Sequence, residues 1–312
     1  MFLLMLACTA KDSTDSAEPG VILEPPAQGE GFQLGMTGTV DAYSEAWICE
    51  VYPLPAEEMS PVSWIEFAQN EGTHHMTLST PSMFEQGLIE YGSYDCEDLY
   101  RGGDLMADAI MFYGNQGTAE GEMYLPEGVA AQLPPNIDVI HEIHYVNPTA
   151  EPIDLYSYVN AYTMLDSQVE SGIWGGSVRD EHINIPAGGQ HTEWSRCVFN
   201  TDVEVLFLAS HTHELGVDFT IAPFDGAETG DVFYENDDWH DPKIIQYDPP
   251  LVVPAGEGFE WSCTWDNPSG DEINYGLNAT DEMCNMAVVH TPFDMTALCE
   301  VVETSDGVLW AP

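Results

Sequence analysis

Positive charge is almost missing from this chain. Its 312 residues carry 5 Lys and Arg against 54 Asp and Glu, a formal net charge of −49. A surface so short of cations repels phosphate backbones, whose neutralisation needs clustered Lys and Arg, and this excludes nucleic acid as a direct partner. Long hydrophobic runs are missing too. The apolar run FLLMLA at residues 2–7 is far short of the ~20 residues that span a bilayer, and no later segment is long and apolar enough. No CxxC pair occurs, which sets aside zinc knuckles and thioredoxin-type sites. A repeat with a period of roughly 20–50 residues is also absent, which disfavours a propeller.

What is present is enough to fold. The length corresponds to about two ordinary domains at ~150 residues each. A composition that is 44% hydrophobic and 11% aromatic, with 8 Trp and 14 Tyr, offsets chain entropy in a way that disordered compositions cannot.

The N-terminal run ends in Leu6-Ala7-Cys8 and leads into the polar stretch Thr9–Ser16. This resembles the lipobox and tether of bacterial lipoproteins, although the usual basic n-region is missing. The expectation is an exported protein, lipidated at Cys8 and held on a bacterial membrane in the periplasm or at the cell surface, with that anchor as its membrane contact. Residues 1–30 then form the signal and a disordered acidic tether. Six cysteines remain, Cys49, Cys96, Cys197, Cys263, Cys284 and Cys299. An even set in an exported chain reads as three disulfides, with the connectivity left open by spacing alone.

Beyond the tether, short β-type runs such as Trp47–Tyr52, Val139–Val146, Val203–Ala209 and Met286–Val289 alternate with Gly, Pro, Asn and Asp. Such runs with turn signals every ~8–12 residues are the signature of antiparallel sandwiches or barrels. Helical turns are expected only at Ser63–Asn70 and Asp104–Met111. A domain boundary is expected near Asp166–Gly172, where Ser, Gln, Glu and Gly interrupt the pattern.

Five of the ten histidines fall in three compact groups: His74-His75 in GTHHMTL, His144 in HEIHYVNP, and His211 with His213 in ASHTHELG. On a strand, side chains at i and i+2 leave the same face, so the HxH imidazoles can converge on one ion. Any one buried histidine is more simply a hydrogen-bonded core residue; three groups in one acidic chain are not. The adjacent pair is harder, because His74 and His75 point to opposite faces of a regular strand and joint ligation requires a bend. Histidine alone suits zinc, copper, iron and nickel, and a thioether donor would favour Cu(I). HTHELG lacks the HExxH order of zincins. The acidic loop Glu235–Asp241 carries hard oxygen donors without EF-hand order and reads as a solvated loop.

Taken together, GTHHM, HYVNP, HTHELG and DEMCN (Asp281–Asn285) resemble, in order and spacing, the copper type II, ascorbate-dependent monooxygenases, the group of peptidylglycine α-hydroxylating and dopamine β-monooxygenases. The resemblance covers about residues 35–305. It implies an all-β chain of two tandem antiparallel β-sandwich, jelly-roll-like domains, residues 31–168 and 169–312, each supplying one copper site. His74, His75 and His144 are then the ligands of the first, electron-transfer copper, and His211, His213 and Met283 those of the second, oxygen-binding copper. Met76, Met286 and His141 match no motif position and read as core residues. The resemblance also implies the pairs Cys263–Cys284, Cys197–Cys299 and Cys49–Cys96, the second-named cysteine of the first pair bracing the backbone beside Met283.

Two departures bear on substrate. Ala209 stands where the peptide-amidating enzymes place a carboxylate-binding arginine, and Ala287 where they place a substrate-contacting tyrosine. With Arg101, Arg179 and Arg196 the only arginines, an anionic peptide has no bidentate partner. The expected activity is therefore hydroxylation of a C–H bond of a small neutral or cationic substrate by O₂ and a one-electron donor such as ascorbate, with two coppers per chain and no side chain acting as acid, base or nucleophile. The alternative is a non-catalytic copper-binding or electron-transfer lipoprotein. No protein partner is expected.

Overall fold

The computed structural model describes residues 22–100, 110–240, 242–276 and 280–307. Cys8 and the tether up to residue 21 lie outside the described residues. As the alternating pattern predicts, the regular structure of the described residues is nearly all β, arranged in several mainly antiparallel sheets.

In the N-terminal half a six-stranded sheet runs Gly31–Val40, Ile153–Thr163, Ser60–Gln69, Val129–Leu133 and Ser171–Gly172, with Glu120–Tyr124 also paired to Ser60–Gln69. A five-stranded sheet runs Gly92–Asp95, Glu45–Pro53, Asp138–Val146, Thr73–Thr80 and Ile110–Gln116. The strand Asp138–Val146 is central in it and buried along all but its last residue, with Asp138, His141, Glu142 and His144 among the buried side chains. One apolar cluster draws Leu34, Val62, Phe67 and Val159 from the first sheet and Met76, Leu78 and Val139 from the second, so the two sheets share a core.

The C-terminal half repeats the plan. A four-stranded sheet orders Trp174–Arg179, Asn285–Thr291, Val203–His211 and Ile244–Val253. A five-stranded sheet orders Tyr234–Asn236, Gly216–Phe224, Gly258–Asn267, Gly189–Phe199 and Cys299–Thr304. Val205, Leu208, Met286 and Val288 from the former pack with Phe199, Phe219, Phe259 and Trp261 from the latter. Each such side chain contributes on the order of 1.5–3 kcal/mol by leaving water. Near the expected boundary, Asp166–Gln168 forms a single 3₁₀ turn, and Ser171–Gly172 then pairs in parallel with Val129–Ala130.

The helical turn expected at Ser63–Asn70 does not form. Those residues lie in the strand Ser60–Gln69, antiparallel to Ile153–Thr163. The pattern misleads because the outer face of this strand is also apolar: Trp64 stacks between its cross-strand neighbours Tyr124 and Tyr162, with ring centroids 5.2 and 3.8 Å away. Of the other expected turn, Ile110 and Met111 open a strand, and the remainder falls outside the described residues. A short helix at Cys96–Tyr100 was not anticipated.

The six cysteines pair as the resemblance implies: Cys49–Cys96, Cys197–Cys299 and Cys263–Cys284, at sequence separations of 47, 102 and 21. Loop-closure entropy ranks them. Removing Cys197–Cys299 by double Ser substitution should cost about 4.7 kcal/mol and removing Cys263–Cys284 about 3 kcal/mol. Urea unfolding of the two variants checks the order, and equal losses would show that strain or denatured-state structure outweighs loop length.

Candidate metal centre

The first histidine group sits where Thr73–Thr80 pairs with the central strand Asp138–Val146. Thr73 lies opposite Tyr145 and His75 opposite His144, so His74 is an extra residue with no partner across the ladder. A bulge of this kind re-aims a side chain, and it supplies the bend that two adjacent histidines need. The result is convergence. His74 Nδ1 lies 3.0 Å from His144 Nδ1 and 3.2 Å from His75 Nδ1, and one nitrogen of each ring falls within 4.8 Å of the others.

Nitrogens about 2.0–2.1 Å from one ion at near-tetrahedral angles lie a little over 3 Å apart, which is the spacing found. The outward nitrogens are held by carboxylates: His75 Nε2 lies 2.8 Å from Glu142 Oε1, and His144 Nε2 meets Glu45 Oε1. A proton kept on Nε2 in this way leaves the Nδ1 lone pair facing inward. Burial pushes His74 down to about 3, with His75, His144, His213 and His240 adding to the effect. It also lowers His144. His74 and His144 are thus held as neutral imidazole, the form that ligates, and the donors present fit a metal ion.

Glu142 is the hub beneath the set. Its Oε1 accepts from Trp47 Nε1 at 2.7 Å as well as facing His75, while Oε2 accepts from Tyr100 and Thr77 hydroxyls at 3.0 and 3.2 Å. Burial opposes its charge, but the hydrogen bonds from His75, Trp47 and Tyr100 and the proximity of His75 outweigh that and hold it down to about 2.

The second group lies at the end of Val203–His211. His213 Nδ1 donates to the Asp281 carbonyl at 2.9 Å, which leaves Nε2 as its lone-pair nitrogen, and the His211 and His213 rings stand 5.3 Å apart, nearly perpendicular. Asn285 is the ladder partner of His211, and its Nδ2 lies 3.1 Å from Met283 Sδ. The sulfur is therefore brought to the His211 end of the sheet. Glu282 ties the loops together, accepting from the backbone N–H of His213 and Leu215 at 3.0 and 2.7 Å and from Trp265 Nε1 at 3.0 Å. Burial pushes Glu282 up to about 7 despite those bonds. The Cys263–Cys284 bond holds the residue next to Met283. Burial lowers both His211 and His213, and imidazoles of the first group lower them further, so the two groups lie within electrostatic reach of each other.

His141 is satisfied on both nitrogens, by Tyr52 at 2.9 Å and Ser157 at 2.8 Å, and Met76 and Met286 are fully buried core, as expected for residues outside the motifs. Ala209 and Ala287 are direct cross-strand neighbours, two residue pairs along the ladder from His211 and Asn285. Glu45, Glu142, Glu282 and Asn285 were not singled out from sequence. Glu142, two residues before His144 and so on the same face of its strand, had the plainest signal.

An all-β scaffold that converges three imidazoles at one place, and at another holds an HxH pair at a strand end to which the Met283 segment is tied, carries donor types that suit a redox metal. Residues 176–310, which contain His211, His213 and Met283, match the family model described as copper type II ascorbate-dependent monooxygenase, C-terminal domain. No curated protein matches the chain. Among solved structures, the crystal structure of the STIV MCP aligns at 8% identity and a TM-score of 0.36 over 82% of this chain and 96% of that chain, a likeness too slight to bear on fold or function.

Glu142→Ala should destabilise the protein by about 3–5 kcal/mol, because it strands several buried donors at once. Glu142→Gln should lose less, since one acceptor oxygen remains. Chemical denaturation of the metal-free variants checks both, and an Ala variant within 1 kcal/mol (roughly) of the parent would remove Glu142 from this role.

Proposed function

We propose that the chain is a copper-dependent monooxygenase that hydroxylates an aliphatic or benzylic C–H bond of a small substrate, using O₂ and a one-electron reductant such as ascorbate. The two sheet pairs are read as tandem β-sandwich domains, residues 31–168 and 169–312. His74, His75 and His144 hold one copper, and His211, His213 and Met283 hold the other. The observation that carries this reading is the meeting of three imidazoles, with His74 Nδ1 3.0 Å from His144 Nδ1 and 3.2 Å from His75 Nδ1, in a chain whose residues 176–310 match a copper monooxygenase domain. Export with a lipid anchor at Cys8 belongs to the same reading, supported by three disulfides, which persist in oxidising compartments.

Copper, when bound, supplies one-electron redox chemistry and the activation of O₂. The chain's own part is to hold neutral donors in place and to position the substrate. Glu142 and Glu45 fix the ring orientation of His75 and His144. Glu282 and the Asp281 carbonyl fix the HxH turn against the Met283 segment, and the thioether favours the reduced metal. No residue is assigned the transfer of a proton. The paired Ala209 and Ala287 leave room beside His211 and offer no charge, which suits a neutral or cationic substrate.

The second reading, a copper-binding or electron-transfer lipoprotein without catalysis, is favoured by those same two alanines, because both polar substrate contacts that the resemblance calls for are gone. Metal analysis and oxygen uptake separate the readings. The parent should bind two coppers and Met283→Leu about one, and oxygen uptake with ascorbate should depend on a member of a panel of aromatic amines, neutral aromatics and amidatable peptides. Copper binding without substrate-dependent uptake across the panel supports the carrier, and a parent that binds no copper refutes both.

A further inference from the structure

His75 and His144 each have a carboxylate behind the ring. His74 has none: its Nε2 is buried and makes no hydrogen bond. As the bulged residue it also has no partner across the ladder. Besides His75 and His144, the rings that lie against it come from the other half of the chain. The Trp239 ring stands edge-on to it, with centroids 5.4 Å apart and planes at 60°, and the His240 ring lies 6.4 Å away. Trp239 and His240 are themselves nearly perpendicular at 5.6 Å.

The loop that presents these rings follows the strand Tyr234–Asn236. It is braced from within: His240 N–H donates to Asp238 Oδ1 at 3.0 Å, Asn236 Nδ2 to the Asp238 carbonyl at 2.8 Å, and Lys243 N–H to Asn236 Oδ1 at 3.3 Å. It is seated from without on Gly117. A Cβ at that position would stand 2.6 Å from the His240 carbonyl oxygen, so the close approach requires glycine. The same glycine donates its N–H to the His74 carbonyl at 3.1 Å. One residue thus holds the backbone of His74 and carries the loop whose rings cover its side chain. The segment is more than the solvated acidic loop its composition suggests.

We infer that Trp239 is a positioning residue for the first metal centre, supplying to His74 by ring packing the restraint that carboxylates supply to the other two imidazoles. The inference rests on the copper reading of His74, His75 and His144. Its consequence is that the first centre is completed by the C-terminal half, so affinity there depends on how that half is seated.

The test uses the full chain carrying His213→Ala, which removes the second donor set, with Trp239→Ala and Trp239→Phe added separately. Copper affinity is measured by competition with a chelator for Cu(I), and ligand geometry by the electron paramagnetic resonance of the Cu(II) form. Trp239→Ala should weaken copper roughly tenfold, in the range for removal of a residue that orients a ligand, and broaden the spectrum. Trp239→Phe, which keeps an aromatic edge on His74, should stay near the parent on both counts, and urea unfolding of the metal-free forms should be alike in all three. Equal affinity and spectra for Trp239→Ala and its parent overturn the positioning role alone, as does an affinity loss matched by an equal loss of metal-free stability. A His213→Ala parent that binds no copper overturns the copper reading of this set and the inference with it.

Discussion

The first centre depends on one extra residue in one ladder. In an uninterrupted antiparallel pair, His74 and His75 would leave opposite faces of the sheet and could not share an ion. The shift between Thr73 and His75 opposite Tyr145 and His144 brings all three imidazoles to one side. The cost is a residue released from cross-strand pairing, and the surroundings compensate for that in two ways. Asp138–Val146, buried nearly end to end in the middle of its sheet, is a stiff reference against which the bulge is fixed. The ladder on the other side of Thr73–Thr80 continues through His75 to Ile110–Gln116, so the irregularity does not spread.

A second constraint is the shortage of cations. With 5 Lys and Arg for 54 carboxylates, buried acids cannot rely on ion pairs, and neutral donors satisfy them instead. Glu142 takes hydrogen bonds from Trp, Tyr and Thr side chains and faces His75. Glu282 takes backbone N–H groups and an indole. Asp138 takes the N–H of Gly87 and Leu88 and the Tyr91 hydroxyl. Donors of this kind hold a carboxylate in place without a competing positive charge near the imidazoles. Among the described residues Asp180 and Glu193 are buried as well, and the remaining carboxylates reach solvent, where counterions screen their self-repulsion.

How far the sequence could be read follows from what each signal encodes. Strand alternation with turn residues is local, so the all-β class and runs such as Val203–Ala209 were legible. The three imidazoles that meet at the first group were legible because short motifs carry them, and the resemblance built on those motifs implied the disulfide partners that form. Geometry was not. Spacing argues against joint ligation by His74 and His75, and only the register to a strand some seventy residues away resolves it. Ser63–Asn70 misread as helical because its outer face carries Trp64, whose burial depends on Tyr124 and Tyr162 from two other strands. Trp239 gave no signal at all, since its contact with His74 joins opposite halves of the chain.

The same register argument bears on selectivity under the proposed function. Ala209 and Ala287 face each other across adjacent strands, so the two small side chains stand side by side on one face of the sheet. Ser177 continues the rung on one side and Ile244 on the other, the latter 58% exposed. A rung of alanines and an exposed isoleucine can discriminate by shape and apolar contact. Such contacts are worth about 1–3 kcal/mol per methylene-sized difference, whereas a site built to pair a charge or hydrogen-bond a polar group rejects wrong substrates far more sharply. Under the proposed function a substrate held here would be selected by size first, and the net charge of −49 would disfavour the approach of acids.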